Sequence, residues 1–115
     1  MSNPVGVPDP AYHLFLDPDE AAVAAHAVRL FLSDEAHETG IRQIARESLA
    51  ALQATPDEGG KITVPLTAEQ MKIIHSAARL LLNDLQRDQA SQRAILRSIL
   101  DKLPDEHTMR AITLP

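Results

Sequence analysis

Asp34, His37 and Glu38 stand at three- and four-residue steps, the spacing at which side chains on one helical face converge on a metal ion. His26 lies eleven residues before His37 and returns to nearly the same face after three helical turns. A metal-dependent enzyme or metal sensor is the function this cluster would serve. The simpler account is a solvated helix end. The corresponding stretch later in the chain keeps Asp84 and Asp88 but has Arg87 where a histidine would be needed.

Four arginines form the most specific polar pattern. Arg42 and Arg46, and again Arg93 and Arg97, place two guanidiniums one turn apart on a helix. Planar guanidinium forks suit carboxylate recognition, so these four are partner-binding candidates. Their competing role is internal, bridging to Asp34 or Asp84 or to carbonyls at a helix C-terminus. Arg93, Arg97 and Lys102 also define a basic face for a nucleic-acid-associated regulator. Asp88 and Asp101 interrupt that face, and a pI near 5.4 disfavours phosphate binding.

Other catalytic chemistry finds little support. His75 shares a polar helical stripe with Lys72 and Arg79, with no carboxylate at the right step on that helix to act with it. The serines lack a nucleophile-elbow setting. Glu58-Gly59-Gly60-Lys61 leads into Ile62 and a strand-like run, which reads as a turn rather than a phosphate loop. The absence of cysteine excludes disulfides, thiol catalysis and thiolate-bound zinc. Nothing implies a cofactor, and the expectation is a non-catalytic protein.

These residues must be positioned by a small domain. The chain has 115 residues, 44% hydrophobic and 3% aromatic, so its core is aliphatic and suits close-packed helices. No apolar run approaches a membrane span and the N-terminus shows no basic-then-apolar leader, so a cytoplasmic protein without membrane contact is expected. Residues 1–60 carry three basic and ten acidic side chains, a net −7. Residues 61–115 carry eight and six, a net +2. Such a split could favour association between molecules.

The strongest organisational signal is a repeat. Leu16, Ala27, Arg29, Leu30, Leu32 and Asp34 match Leu66, Ala77, Arg79, Leu80, Leu82 and Asp84. After a one-residue insertion, Arg42, Ile44, Arg46, Leu49 and Leu52 match Arg93, Ile95, Arg97, Leu100 and Leu103. Each copy begins with a short strand-like run. Capping-box residues follow, Asp17 with Glu20 and Thr67 with Gln70, and then two amphipathic helices.

The expected fold is α+β and predominantly helical. A duplicated β-α-α unit, residues 11–55 and 61–104, gives two helical hairpins packed like a four-helix bundle, with two or three short strands. Residues 1–10 form a flexible arm ahead of a single domain over 11–115. Residues 110–115 echo Ile62–Pro65 and would supply the third strand. The function this favours is a protein-interaction or regulatory module that binds a protein partner or itself, as in a homodimer. Arg42, Arg46, Arg93 and Arg97 would serve polar recognition, and Ile112 and Leu114 strand pairing.

Overall fold

Alternation along two short runs sets the sheet. The computed structural model describes residues 12–34, 39–53 and 55–114. Strand β1 (Tyr12–Leu16) turns Leu14 and Leu16 inward, and β2 (Ile62–Leu66) turns Ile62, Val64 and Leu66 inward. The two pair antiparallel, with Leu14 opposite Val64 at the centre. Phe15 remains 57% exposed on the outer face, across from Thr63. Pro65, which has no N–H to donate, sits opposite His13.

Helices α1 (Pro18–Asp34) and α2 (Thr39–Leu52) follow β1; α3 (Ala68–Asp84) and α4 (Ala90–Lys102) follow β2. A short α5 (Glu106–Arg110) comes last. The chain is thus α+β and mostly helical, with five helices and a two-stranded sheet among the described residues.

Capping chemistry fixes where α1 and α3 begin. Thr67 Oγ1 accepts from the Gln70 amide at 3.2 Å, and Gln70 Oε1 accepts from the Thr67 amide at 3.1 Å. That is a complete capping box. At α1, Glu20 Oε1 accepts from the Asp17 amide at 2.9 Å. The Asp17 carboxylate instead meets Lys61 Nζ at 2.5 Å. The loop before β2 delivers that lysine. Asp57 Oδ1 accepts from the Gly59 and Lys61 amides, each at 2.9 Å, and Gly60 takes φ 81°. Asp57 thus occupies the amides that a phosphate would need.

Helices α1 and α3 form the middle of the molecule, in contact with each other and each with both α2 and α4. Small residues are buried on both helices: Ala21, Ala24, Ala25, Ala27 and Val28 on α1, and Ala77 and Ala78 on α3. Helix α3 buries residues nearly all round, adding Met71, Ile73, Ile74, His75 and Leu81. A helix surrounded by three others has only a narrow solvent stripe left.

The C-terminal segment departs from the sequence expectation. Residues 110–114 form no third strand: Arg110 closes α5, and the Ala111 and Ile112 amides donate to the Thr108 and Met109 carbonyls. Those donors are used in a turn and cannot enter a ladder. Ile112 and Leu114 pack half-buried against the core. The apolar alternation that looks strand-like serves packing instead. Residues 1–10, expected as an arm, lie outside the described residues.

Candidate functional site

Helix α5 creates a groove that helical periodicity alone does not reveal. Pro104 ends the α4 segment, and Asp105 caps the next turn by accepting from the Thr108 amide at 2.8 Å. Met109 then points into the core. The result is an open groove of about 360 Å3 between α3 and α5. Lys72, His75, Arg79, Leu80 and Asn83 line it from α3, and Glu106, Met109 and Arg110 from α5.

Charge in the groove is unbalanced. Lys72, Arg79 and Arg110 oppose a single carboxylate, Glu106. Arg79 Nη1 lies 3.6 Å from Glu106 Oε2, and Arg110 Nη2 lies 3.2 Å from Glu106 Oε1. Two guanidiniums therefore hold the two oxygens of one carboxylate. All three side chains are about half exposed or more, so each pair contributes at most about 1 kcal/mol and exchanges readily. Lys72 Nζ donates to the Ile112 carbonyl at 2.5 Å, which spends one of its three donors. Leu80, 54% exposed, adds an aliphatic contact on the α3 side.

His75 lies at the base of this groove rather than on a solvated stripe. It is buried. Burial, assisted by the Arg79 charge and opposed in part by Glu106, holds its pKa below the usual histidine value of 6.5. The imidazole is thus neutral at physiological pH.

The repeated arginines separate into different environments. Arg93 Nη1 donates to the Leu82 and Leu85 carbonyls, both at 3.1 Å, closing the C-terminus of α3. Arg42 is half-buried on α2, while Arg46 and Arg97 are exposed. Lys102 also has internal partners, Glu20 Oε1 at 2.6 Å and the Phe15 carbonyl at 3.0 Å. Two of the three cations of the proposed nucleic-acid face are therefore engaged within the fold. Replacing Arg93 by Ala is expected to lower stability by about 1–2 kcal/mol, through loss of two charge-assisted bonds. Thermal unfolding measures this.

Asp34 ends α1, but its side chain, with His37 and Glu38, lies outside the described residues. Among the described residues, no group of three or more His, Asp or Glu side chains could hold a metal ion. No helix among them is long and apolar enough to cross a membrane. Sequence spacing does not reveal the Glu106 clamp, although Pro104, Asp105 and Thr108 carry the capping signal for α5. No family model matches this chain, and neither the curated proteins nor the solved structures yield a match.

Proposed function

We propose that this chain is a small non-catalytic interaction or regulatory module of the cytoplasm, built from a duplicated β-α-α unit, that binds a protein partner through the α3–α5 groove. The observation that carries the reading is the convergence of Lys72, Arg79 and Arg110 on an open groove with an exposed leucine. Recognition surfaces combine apolar contact with guanidinium forks, and arginine is enriched at their energetic centres.

Three features support the duplication. The 50-residue offset that lays Leu16 over Leu66 also lays Leu14 over Val64, and these two are partners in the sheet. A two-fold axis between antiparallel strands requires a residue to face its own counterpart. Glu20 and Gln70, equivalent at that offset, both reach back to the amide at the start of their helices. Each also bonds across to the other unit: Ser98 Oγ donates to Glu20 Oε2 at 2.6 Å, and Gln70 Nε2 donates to Glu47 Oε2 at 3.2 Å. Beyond the insertion the offset is 51, which makes Glu47 and Ser98 equivalent as well. Donor and acceptor have exchanged sides while the contact is kept.

The test is nuclease-treated affinity capture from the native host with quantified stoichiometry. The intact chain is compared with the double variants Arg79→Glu/Arg110→Glu and Arg46→Ala/Arg97→Ala. A near-equimolar partner lost only with the first double variant is the expected result. Loss only with the second would move the interface to the outer faces of α2 and α4. Capture of the chain alone, with a dimer mass by light scattering, would replace a foreign partner by a second copy.

A further inference from the structure

We infer that the groove takes an acidic segment of a partner protein bearing one aliphatic side chain, and that Glu106 holds, in the unbound chain, the place of a carboxylate of that segment. This rests on the interaction reading above and adds the chemistry of the partner. Charge complementarity selects the occupant. Three cations face one carboxylate, and that carboxylate belongs to the chain itself.

The Glu106 carboxylate already shows how the two guanidiniums receive such a group, one to each oxygen. Its exposed pairs are weak enough to be replaced. Glu106 is also not required as the cap of α5, because Asp105 performs that role. It is thus free to swing aside while the helix persists. Leu80 and Met109 give an aliphatic side chain somewhere to rest between the charges.

Length follows from the helix. Lys72 and Asn83 stand eleven helical steps apart on α3, roughly 16 Å at the helical rise. An extended chain advances about 3.3 Å per residue, so the groove accommodates about five residues. Carboxylates near both ends and an aliphatic residue between them match Arg110 and Arg79, Leu80, and the remaining donors of Lys72.

The probe is a fluorescein-labelled pentapeptide, Asp-Glu-Leu-Glu-Asp, titrated against the full chain at low ionic strength and read by fluorescence anisotropy. Glu106→Gln is expected to tighten binding by about fivefold to tenfold, because the competing internal carboxylate is gone. Arg79→Ala and Arg110→Ala are each expected to weaken it by about fivefold to tenfold. Asp88→Asn removes the same charge outside the groove lining and is expected to change affinity less than twofold. The peptide Asp-Glu-Ser-Glu-Asp is expected to bind about fivefold more weakly, as one aliphatic contact is lost. Unfolding midpoints establish that every variant is folded.

Equal tightening by Glu106→Gln and Asp88→Asn would overturn the inference, since bulk charge would then explain both. So would the absence of saturable binding to either the intact chain or Glu106→Gln. An oligonucleotide competing as well as the peptide, with no effect of the leucine, would overturn it in favour of nucleic acid. If the peptide fails while Arg79→Glu/Arg110→Glu still abolishes capture of a host protein, the groove remains an interface and only its acidic specificity falls. If both fail, the interaction reading falls with it.

Discussion

Glu20→Ala is expected to lower the folding free energy by about 3–5 kcal/mol, a large share of the stability of a domain this size. Glu20 is only 5% exposed, and its carboxylate accepts from the Asp17 amide, Ser98 Oγ and Lys102 Nζ. Removing it leaves an amide and a hydroxyl without their acceptor, and leaves Lys102 with the Phe15 carbonyl as its remaining protein partner. Urea unfolding at neutral pH measures the loss. A change below about 1 kcal/mol would show that water replaces the carboxylate without penalty.

The same residue sets the acid limit of the fold. Burial pushes the Glu20 pKa up, but the Asp17 amide, Lys102 and Ser98 outweigh it and bring it from the usual 4.5 down to about 2. The folded chain therefore holds this carboxylate ionised more firmly than the unfolded chain does. The stabilisation is complete above pH 4.5 and is lost as pH falls from there to about 2. That difference corresponds to roughly 3 kcal/mol. Glu20→Gln, which cannot titrate, is expected to lose this component of the acid dependence while being less stable at pH 7.

His75 acts at higher pH. Its lowered pKa means that the folded state favours neutral imidazole, so its contribution is present above 6.5 and declines as pH falls below that value. Stability profiles of Glu20→Gln and His75→Gln separate the two windows.

Ile73→Ala is the second large effect, expected at about 2–5 kcal/mol. Ile73 has no solvent exposure, and it lies on the helix that contacts α1, α2 and α4. Neighbours held by three helices cannot collapse into the space it vacates, so the cavity persists. Leu80→Ala on the same helix provides the contrast, at below about 0.5 kcal/mol. Similar losses at both positions, measured by denaturant unfolding, would contradict the central placement of α3.

The long elements were legible because their signals are local and redundant. Helix α3 combines a capping box at Thr67 and Gln70 with a broad apolar face, and both are present in the fold. Strand β2 shows period-two burial up to Thr67. Helix α5 is five residues long, too short for any helical period to register, and only its cap speaks for it. His75 looks polar on a helical wheel because the wheel does not contain α5. Glu20 reads as a capping residue, which it is, but its other partners are 78 and 82 residues away. The spacing of Arg93 matches that of Arg42, yet only the folded chain brings Arg93 to the Leu82 and Leu85 carbonyls.

Among the described residues the sheet has two strands and no interior strand, so no third strand pairs with the outer flank of β1 or of β2. Runaway stacking of such ribbons is the start of fibre growth. Here each flank is defended by different means. Proline at position 65 removes a donor permanently from one side. On the other, Lys102 occupies the Phe15 carbonyl and sets a charge there, held in place by Glu20. The first safeguard is covalent and indifferent to conditions. The second leans on the Glu20 carboxylate, so acid that neutralises Glu20 leaves Lys102 on that flank with the Phe15 carbonyl as its remaining anchor.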